Sequence, residues 1–220
     1  MANEAEIHIR PIFSTPLLVF TVPDHERLNR SLRDAILKRE ATHPSHADHE
    51  VVGWSSPHDL SMLEWAGEPL KPLFEFVVQV AVQATEFSHA TPAQPAHPGW
   101  QVVETWANVQ RKGGSNAAHP HPGSFWSGVY YVETGGLSES GEHGGELQLF
   151  DPRGCLPRML APYLRFAMPE LHDAGTSISF QPTAGQCVLF PGWLTHAVSR
   201  YTGDTPRISV AFNLDPVLSK

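Results

Sequence analysis

Residues 100–109 read WQVVETWANV, and this run opens the part of the chain that decides the fold. Further short runs rich in β-branched and aromatic residues follow it: FWSGVYYVE at 125–133, GELQLF at 145–150, SISF at 177–180, QCVLF at 186–190 and RISVAFNL at 207–214. Gly, Pro, Asn or Asp separate these runs, and short strands with such turn residues are typical of a sandwich or jelly roll. The pattern predicts a mainly β fold with flanking helices.

The part of the chain before Trp100 has helical periodicity instead. Leu28, Leu32 and Ile36 recur every four residues behind Asp24, which predicts a helix over 25–40 with Asp24 as its N-cap. The other elements predicted here are a strand within 11–22, a loop over 41–57 and a second helix over about 68–87.

The length of 220 residues suits one domain, 1–220, because all-β barrels and sandwiches often reach this size as a single unit. Within it we expect residues 1–98 to supply an N-terminal strand and supporting helices, and residues 99–215 to form the jelly-roll catalytic core. The Pro-rich insert 151–175 is long for a connection, and such loops often wall a substrate site.

Charge and composition exclude several classes of function. A net charge of −8 without a basic run argues against binding of nucleic acid through a basic face. The sequence contains neither a signal peptide nor a run of about 18 apolar residues, so we expect no membrane span and a cytoplasmic protein. Two Cys do not make a disulfide framework. A homodimer through the N-terminal helices or a sheet edge is compatible with the sequence.

The tetrapeptide His119-Pro120-His121-Pro122 is the most informative short motif. A residue before proline is pushed toward an extended conformation, and residues i and i+2 of an extended chain point to the same side. His119 and His121 could therefore chelate one metal ion. His196, which follows the apolar run QCVLF, is the best candidate for a third ligand. The alternative is a chance His-x-His pair, since the chain has 13 His.

The last β-prone run carries a second candidate group. Ile208, Val210, Phe212 and Leu214 form its apolar face, which leaves Arg207 and Ser209 together on the opposite face. An arginine at such a position can bind a dicarboxylate through a bidentate, charge-assisted pair, and a serine two residues on can add a hydroxyl donor. The alternative for Arg207 is an ordinary surface ion pair.

Two further expectations concern the surroundings of Arg207. If no bulge interrupts the strand after His121, Tyr131 has the same phase as the two His and could reach the same dicarboxylate; otherwise it is a core tyrosine. The turn Thr202-Gly203-Asp204 predicts that His196 and Arg207 lie on neighbouring antiparallel strands.

Taken together, these motifs resemble the 2-oxoglutarate/Fe(II) dioxygenase superfamily, of the prolyl and lysyl hydroxylase kind. Within it the chain is similar to a group of small bacterial and phage proteins with HxHP and SGVYYV. The matching pieces occur in the family order over about residues 100–214: His119-x-His121, FWSGVYYV, Gly144-Gly145-Glu146-Leu147, Pro182-Thr183-Ala184-Gly185, His196 and Arg207-x-Ser209.

The resemblance implies a double-stranded β-helix (jelly roll) and an oxidoreductase that uses Fe(II), 2-oxoglutarate and O2. It assigns His119, His121 and His196 to the metal. Arg207 and Ser209 would hold the distal carboxylate of 2-oxoglutarate, assisted by Tyr131 and Asn108. The substrate, whether a small molecule or a peptidyl side chain, is not indicated.

One position departs from the family pattern. The superfamily usually has His-x-Asp, the carboxylate of a facial triad, and His121 stands in place of that Asp. Three alternatives follow. His121 is a ligand in place of the carboxylate, or it lies outside the ligand set. In the third, the site belongs to a three-His cupin-like dioxygenase or isomerase that does not use 2-oxoglutarate. A non-catalytic jelly roll with a closed structural metal site would need a fourth ligand, and the motif contains none.

Overall fold

A computed structural model describes residues 12–47, 51–88, 97–136, 143–155, 161, 163–164 and 176–217. Most of the insert predicted at 151–175 lies outside these residues. Among the described residues, each helix is too short or too polar to span a bilayer.

Three helices occur in the described residues: α1 at His25–Thr42, α2 at Met62–Trp65 and α3 at Leu70–Gln83. The predicted first helix is confirmed, and its buried residues are the Leu28, Leu32 and Ile36 that predicted it. Asp24 occupies the predicted N-cap position, but its side chain makes no capping hydrogen bond. Asp24 has a left-handed backbone (φ 53°) and instead accepts a 2.6 Å hydrogen bond from Arg27 Nε.

The larger of two antiparallel sheets has the strand order β1-β9-β6-β11-β4-β3. Its strands are β1 (Leu18–Thr21), β3 (Trp54–Ser55), β4 (Gly99–Gln110), β6 (Trp126–Thr134), β9 (Gln186–Pro191) and β11 (Arg207–Val217). The strand predicted within 11–22 is therefore present but short. The region 41–57, predicted as a loop, contributes an edge strand through residues 54 and 55.

The smaller sheet has the order β2-β5-β10-β7-β8. Its strands are β2 (Val51–Val52), β5 (Ser115–His119), β7 (Leu147–Phe150), β8 (Ser177–Phe180) and β10 (His196–Val198). Two antiparallel sheets built mainly from the chain after residue 99 give the predicted jelly roll, in which helices cover one sheet and the other sheet faces it.

The alternation of β11 divides the interior into an apolar and a polar side. Ile208, Val210, Phe212 and Leu214 are fully buried in the main core cluster, which includes the buried residues of α1 and α3. The opposite face of β11, beginning with Arg207, lines a cavity of about 530 Å³ instead. This volume is typical of small-molecule sites.

Candidate active site

The smaller sheet brings the three predicted histidines together. His119 ends β5 and His196 begins β10, where the two residues are paired directly across the antiparallel ladder. His121 follows β5, and its backbone N–H donates a 2.7 Å hydrogen bond to the carbonyl of Gly192. One nitrogen from each of the three rings lies within 4.8 Å of the others. This spacing suits a single metal ion with three imidazole donors.

Backbone carbonyls fix the orientation of two of these rings. His119 Nδ1 lies 2.7 Å from the carbonyl of Ala117, and His196 Nδ1 lies 2.9 Å from the carbonyl of Leu194. Since a carbonyl only accepts, Nδ1 carries the proton in both rings and Nε2 keeps its lone pair. Metal-binding histidines are oriented in this way by a partner on the other nitrogen.

Burial keeps the rings of His121 and His196 neutral. Burial, with smaller contributions from the neighbouring His119 and His121, lowers the pKa of His196 to about 3. Burial likewise lowers the pKa of His121 to about 4, helped by His119 and His58. A neutral imidazole is the form that a metal ion needs, so both rings are ready to bind at neutral pH.

We expect the metal-free protein to lose stability as the pH falls from about 6.5 toward 4. In this range the unfolded chain takes up protons on His121 and His196, whereas the folded protein, with pKa values of about 4 and 3, does not. The free energy of unfolding decreases as the pH is lowered wherever the unfolded state binds more protons than the folded state. For His196 alone the loss by about pH 4.5 is about 2 kcal/mol. Urea unfolding of the wild type and of His196→Leu at about pH 6.5 and at about pH 4.5 measures this loss of stability. Identical pH dependence in the two proteins would contradict the lowered pKa.

Arg207 is a buried cation without a carboxylate partner among the described residues. Only 2% of it is exposed, its Nη1 donates 2.8 Å to Gln110 Oε1, and its Nε donates 3.1 Å to the carbonyl of Gly145. Burial lowers its pKa, but a guanidinium stays protonated. A buried charge without a counter-ion is costly, and a carboxylate ligand would offset that cost.

The other predicted residues surround this guanidinium. The Arg207 guanidinium lies 5.4 Å from the ring centre of Tyr131, and Ser209 pairs with Tyr131 on one side and with Asn108 on the other. The hydroxyl of Tyr131 and the side-chain oxygen of Asn108 are buried and accept or donate no hydrogen bond within the described chain. Burial raises the pKa of Tyr131 to about 12, so its hydroxyl is a donor at neutral pH. Unsatisfied buried polar atoms are rare, and a bound polar ligand explains them.

All seven predicted site residues line the same cavity, which is bounded by both sheets. The prediction that His196 and Arg207 lie on neighbouring strands is wrong. His196 pairs with β5 and β7 in the smaller sheet, whereas Arg207 pairs with β4 and β6 in the larger one. The two residues therefore lie on different sheets, on opposite sides of the cavity.

Only some of the aromatic side chains in this part of the fold line the cavity. Trp126 belongs to the main core, and Phe150 and Trp193 line a separate cavity near Cys155. The wall beside the histidines is Trp106, whose ring stacks on His121 at 5.5 Å and on His58 at 4.2 Å. Its position on the same face of β4 as Asn108 is a sequence signal that could have identified it.

The residues present fit an iron ion and a dicarboxylate. Three imidazoles, converging without a fourth described protein ligand, leave coordination positions for other molecules. The same cavity offers a buried guanidinium and an unpartnered tyrosine hydroxyl, which are donors suited to a carboxylate.

Comparison with solved structures shows the same fold in several oxygenases at low sequence identity. A prolyl-4-hydroxylase from Pseudomonas putida matches with a TM-score of 0.60 and 15% identity, over 93% of this chain and 95% of that one. A Trichoplax adhaerens prolyl hydroxylase in complex with a hypoxia inducible factor peptide fragment gives 0.58 and 11%, over 90% and 83%. HygX from Streptomyces hygroscopicus, with nickel and 2-oxoglutarate bound, gives 0.55 and 14%, over 93% and 84%.

A comparison with curated proteins finds no match. A family model does match: the one described as "Putative 2OG-Fe(II) oxygenase" covers residues 104–213, which is half of the chain and includes all seven site residues. The chain therefore belongs to this family of 2OG-Fe(II) oxygenases, oxidoreductases that use Fe(II), 2-oxoglutarate and O2.

Proposed function

We propose that this chain is a hydroxylating oxygenase in which His119, His121 and His196 bind Fe(II). Arg207 binds the distal carboxylate of 2-oxoglutarate, with Ser209, Tyr131 and Asn108 assisting. The observation that carries this proposal is the placement, in one cavity of about 530 Å³, of a three-imidazole cluster and a buried guanidinium that has no carboxylate partner among the described residues. In this assignment His121 is a metal ligand in the place of the usual carboxylate.

When bound, Fe(II) with 2-oxoglutarate and O2 supplies the oxidising power that hydroxylates an unactivated C–H bond. The part of the protein is to orient the reactants and exclude water. Arg207 is held in one position by Gln110 and Gly145, so it needs little reorganisation to receive a carboxylate. Tyr131, fully buried with a protonated hydroxyl, donates to the same group.

A three-His cupin-like enzyme that does not use 2-oxoglutarate is the second candidate. The three imidazoles favour it, because the carboxylate usual in this superfamily is absent from the cluster. Arg207 weighs against it, since a buried guanidinium in the same cavity has no role in such an enzyme.

The substrate is proposed only at the level of a small molecule or a peptidyl side chain. Support for the peptidyl class comes from the similar Trichoplax adhaerens hydroxylase, whose structure contains a peptide fragment. We also propose the division into N-terminal supporting elements, 1–98, and a catalytic core, 99–215.

Anaerobic titration tests the proposed function. The protein is given one equivalent of Fe(II), and 2-oxoglutarate is then added while the visible spectrum is recorded. We expect a weak metal-to-ligand band that saturates at one 2-oxoglutarate per iron. Glutarate, which has both carboxylates but no 2-oxo group, is the matched control and should compete without producing a band.

Two results would contradict the proposal. If iron binds but 2-oxoglutarate produces no band, the three-His enzyme without this co-substrate replaces it. If no iron binds, the histidine cluster is not a metal site.

A further inference from the structure

The three rings of the cluster are not held in the same way. His119 and His196 each have a backbone carbonyl beside Nδ1. His121 instead stacks on two rings: that of Trp106, with 5.5 Å between ring centres and 13° between planes, and that of His196, with 5.0 Å and 24°. Stacking fixes the plane of a ring but not which edge faces the metal, because a half-turn about the Cβ–Cγ bond leaves the plane unchanged. A polar partner is needed to select the edge.

Asn213 is placed to be that partner. It is 2% exposed, lines the cavity and pairs with Glu104 across β11 and β4. Its Nδ2 donates a 2.7 Å hydrogen bond to Glu104 Oε2, whereas its Oδ1 is buried and accepts no hydrogen bond of normal geometry from the described chain. Glu104 and Trp106 lie two residues apart on the same face of β4, so Asn213, the cross-strand partner of Glu104, lies beside the Trp106 ring on which His121 stacks. With its NH2 group bound to Glu104, the amide has its oxygen left to accept from the His121 ring.

The orientation of the Asn213 amide follows from Glu104. An amide oxygen and its nitrogen are distinguished by their hydrogen-bond partners. Turning the Asn213 side chain over would place its oxygen against the Glu104 carboxylate, where both groups are acceptors, and its NH2 toward His121. The carboxylate therefore keeps the amide oxygen directed at the ring.

We infer that Glu104 and Asn213 are positioning residues for the metal site: Asn213 Oδ1 accepts the N–H of His121 and so turns its other nitrogen to the metal. This inference rests on the proposed function, in which His121 is a ligand. In the family a carboxylate usually contributes its negative charge directly to the metal. Here the corresponding charge is on Glu104, two hydrogen bonds away from the ligand His121. Charge at that distance still polarises the N–H and raises the basicity of the ring as a ligand.

Proton NMR of the Co(II)-substituted protein tests the inference without turnover. Imidazole N–H protons of cobalt ligands give strongly shifted signals, and those held in buried hydrogen bonds exchange slowly with solvent. We expect three such signals in the wild type. In Asn213→Leu, which has a similar volume, we expect two signals and a Co(II) affinity about 10–100-fold weaker, the usual effect of removing a partner of a ligand.

Glu104→Gln provides a second variant, because the new amide oxygen still accepts from Asn213 but the charge is gone. We expect it to keep three signals and to bind Co(II) a few-fold more weakly. Asp215→Asn is the matched control. Asp215 lines the same cavity, but its Oδ1 accepts from the backbone N–H of Phe125 at 3.0 Å, a bond that asparagine can keep. The imidazole N–H signals and the Co(II) affinity of Asp215→Asn should equal those of the wild type.

The outcomes separate this inference from the function on which it rests. Three slowly exchanging signals and wild-type affinity in Asn213→Leu would overturn the inference alone. An equal loss of affinity in Asp215→Asn and Glu104→Gln would also overturn it, because the effect would then be one of general charge. Only two signals in the wild type would mean that His121 is not a ligand, and both proposals would fail. If Asn213→Leu does not fold, the comparison of Glu104→Gln with Asp215→Asn decides.

Discussion

Replacing Arg207 with methionine should weaken the binding of 2-oxoglutarate by at least about 30-fold, because truncating one partner of a buried charge pair costs about 2–5 kcal/mol. The side chain of methionine fills much of the same buried volume but cannot bind a carboxylate. Binding of Fe(II) should change little, because Arg207 lies on the larger sheet and outside the histidine cluster. Anaerobic calorimetry measures both affinities: Fe(II) is titrated into the metal-free protein, and 2-oxoglutarate into the Ni(II)-loaded protein.

Arg207→Lys should retain part of the affinity, since lysine keeps the charge but loses the planar pair of donors. The exposed Arg200 supplies the control, and Arg200→Met should bind 2-oxoglutarate as the wild type does. An unchanged affinity in Arg207→Met would remove the main argument for 2-oxoglutarate at this position and leave the three-His alternative in place.

Loss of a metal ligand should have an effect of comparable size. In His196→Ala we expect the affinity for Fe(II) to fall by more than about 100-fold, which exceeds the 10–100-fold effect typical of groups that only orient a ligand. His196 is 6% exposed and central, with ring centres 4.6 Å from His119 and 5.0 Å from His121. Anaerobic competition with a coloured Fe(II) chelator measures the change.

His58 offers a matched control for that experiment. It lines the same cavity and stacks on Trp106 but does not belong to the cluster whose nitrogens converge. His58→Ala should therefore keep its affinity for Fe(II) within a few-fold. Equal losses in the two variants would show that the cavity as a whole, and not the cluster, governs metal binding.

The parts of the site that could be predicted from sequence depend on local geometry. The alternation along residues 207–214 gave both the buried face and the cavity face of β11, because side chains alternate along any strand. The two His-Pro steps predicted an extended chain with both rings on one side, and these rings do converge. Both predictions need only the conformation of a few consecutive residues.

The wrong predictions concern contacts that local geometry does not determine. A turn at 202–204 suggests a hairpin, but Tyr201 exchanges backbone hydrogen bonds of 2.7 Å with Gly113 and Gly114, and its hydroxyl donates to the carbonyl of Thr205 at 2.7 Å. These bonds hold the segment between β10 and β11, which passes from the smaller sheet to the larger one. Asp24 is at the predicted N-cap position, but its carboxylate binds Arg27, one turn later, and not a backbone N–H of the helix. The partnership of Glu104 and Asn213 depends on strand register, which is set by the whole sheet.

The separation of the two groups of proposed ligands between facing sheets has a consequence for selectivity. The histidines belong to the smaller sheet and the loop after β5, whereas Arg207, Ser209, Tyr131 and Asn108 belong to the larger one. A 2-oxo acid that reaches both the metal and Arg207 must match the gap between the sheets. The distance between the sheets therefore determines which length of carbon chain the co-substrate can have. Shorter 2-oxo acids would reach the metal but fall short of the guanidinium, and core substitutions that alter sheet spacing would change this length preference without touching any ligand.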